Sequence, residues 1–489
     1  MYNGVMLSLY NTLSRKKEKF KSLKRAAVNF YACGPTVYDA QHIGNFRTYI
    51  FNDVLRRTLE YNGYKVRQVI NITDVGHLTS DADSGEDKVQ AAARKKRKTA
   101  WQIARLFENQ FKKDFRKLNL EHPYLFARAT GHIKDQIALI KKLEKKEYTY
   151  LIPSDGLYFD TAKLNDYGKL APSRLKGLRP GARVKFVRGK RNPTDFALWK
   201  FSSKNEKRDM EWSSPWGKGF PGWHIECSAM ALKYLGQPTR GERSRTIDIH
   251  TGGIEHIPIH HTNEIAQSEA ATGKKFVNYW LHGEHLLISG KKMAKSLRNF
   301  YTLEDLEKKG FNSLSFRYLV LNAHYRSKLN FTWDALEAAQ NGLYGLYDEV
   351  RMIYLEDYYI RSKFVPWRDV RKSRSSLNYK ERFSKLINDD LNTPKALALL
   401  WAMLADPALT LKNKIMHIEA FDKIFGLKLK QRVGLPPSKV RGLVKEREKY
   451  RINKQFVHAD RLRKKIESLG YTVEDTSRGP FVKKNGRTK

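Results

Sequence analysis

The residues able to do chemistry are concentrated around two cysteines. The 489-residue chain contains only Cys33 and Cys227. The second lies in a stretch that opens with Gly222-Trp223-His224-Ile225-Glu226-Cys227 and closes with His260-His261-Thr262-Asn263-Glu264. A catalytic Zn²⁺ takes nitrogen, sulfur or carboxylate oxygen at tetrahedral positions and keeps one position open. Positions 260 and 264 are four apart, so on a helix both share one face. Cys33, Cys227, an imidazole and Glu264 would then reach one metal from separate segments of the chain. Spacing alone leaves the imidazole open between His260 and His261. A plainer reading also fits: free cysteine is often a small buried apolar residue, and there is no CxxC-type signature here.

These side chains need elements to position them. An apolar strand at 28–32 leads into the turn Cys33-Gly34-Pro35-Thr36-Val37-Tyr38, then His42-Ile43-Gly44-Asn45, then helical apolar spacing over 49–61. Strand, tight loop and helix start a nucleotide-binding α/β unit, whose helix N-terminus offers its amides to phosphate. The next strand, 66–72, ends at Thr73-Asp74-Val75-Gly76-His77, polar residues placed to line a crevice. A later strand, 246–253, runs into Gly252-Gly253 as a second half of the same sheet requires. The helix bearing His260 and Glu264 follows, and strand-and-turn material over 277–288 delivers Lys292-Met293-Ala294-Lys295-Ser296 on a loop. Two lysines bracketing small residues suit a polyphosphate whose charge moves during reaction.

Between the halves, 81–87 reads as a surface loop and 91–118 as one long helix. The basic start of that helix, Arg94-Lys95-Lys96-Arg97-Lys98, is either solvated or RNA-facing. A helix at 133–147, loop-and-strand material over 148–182 with a hairpin at 156–160, and a basic stretch at 183–191 resemble an insertion, after which 195–200 is buried strand or helix. Beyond Leu303 the spacing is helical: 336–359 and 379–425 suit a bundle, joined by a basic connection at 361–376. Leu435-Pro436-Pro437 marks a boundary, followed by a helix-like 438–469, Gly470 to Asp475, and a frayed basic end at 483–489.

Composition bounds the function classes. Lys plus Arg number 92 against 51 acidic residues, a net charge of +41 and a pI near 10.0. Such an excess points to a polyanion. Two cysteines make a disulfide framework improbable and a reducing compartment natural. The absence of a run of about 18 apolar residues excludes a spanning helix. The basic segment 14–25 has the charge of a transit peptide, but strands at 6–10 and 28–33 favour a folded N-terminus.

Several of these motifs together resemble cysteinyl-tRNA synthetases of class I. They are Tyr31 to Tyr38, Pro221-Gly222-Trp223-His224-Ile225-Glu226-Cys227-Ser228-Ala229-Met230, and Asn263-Glu264-Ile265-Ala266-Gln267-Ser268, supported by Leu9-Tyr10-Asn11-Thr12-Leu13 and Leu391-Asn392-Thr393-Pro394. The resemblance implies an α/β fold: a Rossmann-type parallel-sheet catalytic domain with an insertion, an α-helical bundle and a small C-terminal anticodon-binding domain. Its boundaries would be 1–130 and 191–300 for the two catalytic halves, 131–190 for the insertion, 301–335 for a stem-contact linker, 336–434 for the bundle, and 435–489 for the anticodon domain with a basic tail.

The resemblance also implies roles. Zn²⁺ ligands fall on Cys33, Cys227, His260 and Glu264, which selects His260 over His261. Cys33, Thr73, Trp223 and His250 would line the cysteine pocket. His42, Asn45, Lys292 and Lys295 would act on ATP and its Mg²⁺, with Gly252 and Gly253 beside the nucleotide. Arg447, Arg451 and Arg463 are candidates for tRNA contact. The chain departs from the family at Asn45, where a second histidine is usual, at Ala294 in place of serine, and at Glu255-His256 in place of Asp-Leu. The expected partners are tRNA(Cys), ATP and L-cysteine, with no membrane, for a cytoplasmic monomer. Two rivals remain: a ligase joining activated cysteine to an amino sugar, which would need no anticodon module, and a catalytically dead RNA-binding relative, which would have lost Lys295 or a thiol.

Overall fold

The computed structural model describes residues 6–75, 87–153, 155–172, 187–203, 208–236, 246–293, 299–362 and 377–485. These divide into two compact units: one of residues 1–306, 323–331 and 388–391, the other of 307–322, 332–387 and 392–489. The 81–86 loop, residues 183–186 of the 183–191 stretch, Gly76-His77, Ala294-Lys295-Ser296, residues 363–376 of the basic connection and the last four residues lie outside the described residues.

The first unit is built on apolar runs too hydrophobic to face water on either side. β1 (Ser8–Asn11) and β2 (Lys16–Lys19) form an antiparallel hairpin that uses part of the basic 14–25 stretch. β3 (Ala27–Ala32) leads through the loop into α1 (Ile43–Tyr61), and β4 (Lys65–Ile72) returns beside β3. The expected helix at 91–118 is two: α2 (Lys88–Lys96) and α3 (Ala100–Lys117). Arg97 ends α2 in the left-handed conformation at φ 51°, and Thr99 starts α3 through a reciprocal cap with Gln102. Apolar spacing carries on across such a break; the Thr-x-x-Gln cap is the signal that marks it. β5 (Leu125–Arg128) and α4 (Ile133–Lys145) follow.

β6 (Thr149–Ile152), β7 (Gly156–Phe159), β8 (Phe196–Phe201) and β9 (Gly219–Pro221) make a separate four-stranded antiparallel sheet. Its apolar face, including Leu157, Phe159, Phe196 and Trp199, shares a core with α4, with α5 (Trp223–Tyr234) and with α6 (Thr262–Thr272). The chain then re-enters the main sheet with β10 (Ile247–Gly253) and β11 (Val277–Gly283). The main sheet is parallel throughout in the order β11-β10-β3-β4-β5. Strands β3 and β10, from opposite halves of the unit, are therefore neighbours, and the chain leaves them on opposite sides. At such a switch point a crevice opens beyond the carboxyl ends of the strands. A small sheet of β12 (Leu286–Ile288), β13 (Lys291–Lys292) and β14 (Leu329–Phe331) completes the unit.

The second unit is helical, as the spacing beyond Leu303 requires. Trp333–Arg361 is its long helix, with Leu377–Asn388, Thr393–Ala405 and Leu411–Phe425 beyond it. Phe383 stacks on Phe421 with ring centroids 3.8 Å apart. The expected helix at 438–469 is again two, Ser438–Ile452 and Phe456–Ser468, broken where Lys454 takes φ 57°. The hairpin Tyr471–Thr476 with Gly479–Lys484 gives Lys483 and Lys484 strand structure in place of the expected frayed end.

That C-terminal module is tied together by Asp475. Its carboxylate accepts both terminal nitrogens of the buried Arg447, at 2.8 and 2.9 Å, and also meets Arg451 and Arg463. The Arg447 hydrogen bond holds the Asp475 carboxyl below the usual range. Stability from this group is therefore present above the ordinary aspartate pKa and lost as pH falls through the lowered value. Asp475→Asn should destabilise the module by roughly 2 kcal/mol, less than a fully buried pair would lose because Asp475 is partly exposed. Hydrogen exchange along Ser438–Ile452 reads this, and acid should reproduce it in the unsubstituted protein; unchanged protection in both would refute the assignment.

Candidate active site

Three strand ends and two helices deliver the functional side chains. Cys33 follows directly on β3, and its amide donates to Thr251 O of β10 at 3.0 Å. The turn beyond it needs glycine: a Cβ on Gly34 would stand 1.7 Å from Asn71 O. Asn71 ties this turn to the end of β4, accepting from Gly34 N at 2.7 Å and donating to Thr73 Oγ1 at 3.1 Å. Gly222 begins α5 pressed against β8, where a Cβ would meet Ala197 O at 2.0 Å. That contact sets the first turns of α5, and hence Trp223 and Cys227. His260 lies in a widened π-helical turn, Ile257–His261, that runs into α6 and Glu264.

The sulfur atoms of Cys33 and Cys227, a His260 ring nitrogen and a Glu264 oxygen all lie within 4.8 Å of one another, in residues that are all buried. A second, overlapping set with the same closeness is Cys33, His250, His261 and Glu264. Glu264 is gripped from two sides, by His260 Nε2 at 2.9 Å and His250 Nε2 at 3.1 Å. Trp223 stacks on the His260 ring at 4.4 Å, and His224 Nδ1 approaches His260 Nδ1 at 3.0 Å. His261 reaches Cys33 Sγ at 3.2 Å and is backed by His282 at 2.8 Å, which in turn meets Thr12 Oγ1 at 2.8 Å.

The electrostatics show how the buried groups of this cage answer one another. Burial alone would raise the Glu264 carboxyl, but His250 and His260 override it and bring it down to about 2. Burial alone would lower His260, yet Glu264 and Cys227 raise it to about 10. Cys33 is pushed well up by burial, while its hydrogen bond to Cys227 helps bring that thiol down to about 6. In the protein alone, a protonated imidazole thus balances a carboxylate and a thiolate. His261 and His282 are driven well below the usual histidine value, chiefly by burial, and stay neutral. His250 Nδ1 and Thr251 Oγ1 are buried without a hydrogen-bond partner among the described residues. Two soft thiols, an imidazole and a carboxylate at this closeness fit a tetrahedral Zn²⁺, whose charge would take the place of that proton.

A cleft runs from Cys33 and Trp223 past Gly253 to His42 and Asn45. His42 and Asn45 cap α1 reciprocally: Asn45 N donates to His42 Nδ1 at 3.1 Å, and His42 N donates to Asn45 Oδ1 at 3.2 Å. With Nδ1 accepting, the neutral ring carries its proton on Nε2, a donor. The asparagine in place of a histidine therefore preserves the helix start and fixes the His42 tautomer. Lys292 is exposed on β13, and Met293 lies over Gly44 at the α1 N-terminus. Lys295 lies outside the described residues. Of the expected pocket residues, Cys33 and Trp223 line the cleft, whereas Thr73 and His250 are buried outside its lining. Gly252 packs against His261 and His256, and Gly253 N donates to His256 Nδ1 at 3.1 Å. Glu255 folds back over Gly253 and comes within 3.7 Å of His285. In the second unit, Arg447 is committed to Asp475, while Arg451 and Arg463 keep about a third of their side-chain surface exposed.

Sequence reasoning did not single out Arg47, Lys88, His224 or His282. Lys88 lines the cleft and faces the Tyr38 ring at 5.6 Å. Arg47, almost wholly buried on α1, donates to the backbone carbonyls of Glu284, His285, His324 and Ser327. It joins the helix that begins at His42 to the base of the hairpin that carries Lys292. α1 also carries Arg56 and Arg57, and no local pattern sets Arg47 apart from them.

Comparison with known proteins shows the family. Residues 19–341 match the family described as tRNA synthetases class I (C) catalytic domain. The chain is 47% identical to cysteine-tRNA ligase 1 of Burkholderia lata over 97% of this chain and 96% of that one. It is 43% identical to the cysteine-tRNA ligase of Treponema denticola over 96% and 98%. Methionyl-tRNA synthetase of Mycobacterium tuberculosis with methionyl-adenylate shares the fold, with a TM-score of 0.57 at 15% identity over 82% of this chain and 88% of that one. A parallel sheet with its crevice at the switch point is the class I architecture. The chain belongs to the class I tRNA synthetases and, within them, to the cysteine-tRNA ligase family of enzymes. No helix among the described residues is long and apolar enough to cross a membrane.

Arg47→Met should unpin the hairpin base and lower hydrogen-exchange protection over 284–292 by at least about tenfold, since each of several carbonyls loses a charged donor. Protection equal to that of the unsubstituted chain would show that Arg47 is not what holds it.

Proposed function

We propose that the chain activates L-cysteine with ATP to cysteinyl-adenylate and transfers it to the 3′ end of tRNA(Cys), with cysteine selected at Zn²⁺ held by Cys33, Cys227, His260 and Glu264. The carrying observation is the buried cage of two thiols, an imidazole and a carboxylate at one end of a cleft whose other end is the capped start of α1. Zn²⁺ in that cage supplies a position that takes a substrate sulfur as thiolate, a bond that a serine hydroxyl does not match.

The chain's own residues do the rest. His250 and His260 hold Glu264 ionised and aimed inward. Trp223, stacked on His260, walls the pocket and keeps water from it. His42 Nε2–H and the α1 N-terminus donate to ATP phosphate oxygens, and Lys292 with Lys295 follows the charge that builds on the departing pyrophosphate. Gly252 and Gly253 let the nucleotide approach the backbone, and Mg²⁺ accompanies ATP. Thr73 acts through the Asn71-held turn that carries Cys33. In the second unit, Arg451 and Arg463 offer exposed charge to tRNA while Arg447 fixes Asp475. In this reading 1–130 and 191–300 are the catalytic halves, 131–190 the insertion, 301–335 the stem-contact linker, 336–434 the bundle and 435–489 the anticodon module of a cytoplasmic monomer.

Two measurements test this. Purified protein should carry one Zn²⁺ per chain, and cysteine should support pyrophosphate exchange at least about 10⁴-fold better than serine; metal-free active protein, or equal use of serine, would refute the reading. His42→Ala should lower the exchange kcat by about 10²-fold or more with metal content unchanged, and an unaltered kcat would remove His42 from the phosphate site.

A further inference from the structure

The basic cluster at the break between α2 and α3 is not used by the cleft. Residues 94–98 are all exposed there, and Arg105 is exposed one helical turn beyond Trp101. Lys95, Arg97, Lys98 and Arg105 make no ion pair with any described residue. Among the described residues of adjoining segments, Asp87 pairs with Arg208, and Asp209 accepts from Ala100 N at 2.7 Å.

Trp101 stands in the middle of this charge. Trp101 is 47% exposed, an unusual state for so large an apolar residue. It is not loose, because Nε1 donates to Asp209 O at 3.1 Å and the ring meets Trp212 edge-on at 6.3 Å and 80°. An indole fixed at its edge, with much of its surface open and guanidinium and ammonium groups before and after it, is a stacking platform set in a phosphate-binding stripe. An anionic membrane would also be drawn to the charge. Insertion into lipid, however, calls for a broad apolar face, and the indole here is joined only by Leu106 as a large exposed apolar side chain of α3.

We propose that this face binds RNA with at least one unpaired base, phosphates lying along Lys95, Arg97, Lys98 and Arg105 and a base stacking on Trp101. The proposal deepens the tRNA-ligase reading, which it takes as its source of RNA, by assigning a contact surface apart from the catalytic cleft.

The test uses the full chain with the triple substitution Lys95→Gln, Arg97→Gln, Lys98→Gln and, separately, Trp101→Ala. The probes are a tRNA(Cys) transcript, an oligouridylate and phosphatidylserine vesicles. The triple variant should bind RNA at least about tenfold more weakly, with a log K against log salt slope smaller by about 2–3. Trp101→Ala should lose roughly 5- to 100-fold, and pyrophosphate exchange should be unchanged in both. Loss with the tRNA assigns the platform to the substrate, and loss with oligouridylate alone assigns it to a second RNA. Unchanged binding of both RNAs, or loss confined to vesicles, overturns the proposal. An unsubstituted protein without pyrophosphate exchange would sink the ligase reading while leaving the RNA measurement intact.

Discussion

Burying two thiols, a carboxylate and an imidazole in one place is the constraint around which the first unit is arranged. Anionic groups removed from water are costly unless something positive stands among them. In the protein alone the surrounding imidazoles, His250 and His260, bring Glu264 down to about 2, hydrogen bonds from Cys33 and His260 bring Cys227 to about 6, and Glu264 and Cys227 raise His260 to about 10. A divalent ion held there, as proposed above, would answer the carboxylate and the thiols together. The neighbouring imidazoles have a different task. His261 and His282, kept neutral by burial, form a chain of 2.8 and 3.2 Å contacts that fixes Cys33 from behind.

The sheet topology follows from that need. Cys33 follows β3, and His250 lies on β10 beside that strand, yet the two strands are far apart in sequence and adjacent only because the halves of the unit meet there. The same junction opens the crevice, so Cys33 of the buried cage and the capped start of α1 at His42 and Asn45 line one cleft. The antiparallel insertion has a part in this as well. Its β8 carries Ala197, against which Gly222 closes, and that contact decides where α5 places Cys227. Arg47 then links the α1 end of the cleft to the hairpin that bears Lys292.

Much of this was legible in the sequence. The strand-loop-helix start at Val28 to Tyr61, the second half from Ile247, and the i,i+4 placement of His260 and Glu264 all rest on local patterns of period and spacing. What escaped were features set by close approach and by breaks. The turns at Arg97 and Lys454 interrupt helices whose apolar spacing continues through them. The roles of Arg47, His224 and His282 depend on partners tens to hundreds of residues away, which periodicity does not reveal. Arg447 looked from sequence like a surface charge for RNA and is instead buried against Asp475, because a hairpin strand not adjacent in sequence supplies the carboxylate.

The central claim is that substrate sulfur joins a metal already held by two protein sulfurs. Zinc-edge X-ray absorption on the purified protein tests it most directly. The account predicts two sulfur scatterers at about 2.3 Å with nitrogen or oxygen at about 2.0–2.1 Å, and a third sulfur on addition of L-cysteine but not of L-serine. A sulfur count that stays the same with L-cysteine bound, or a first shell without sulfur, would contradict it.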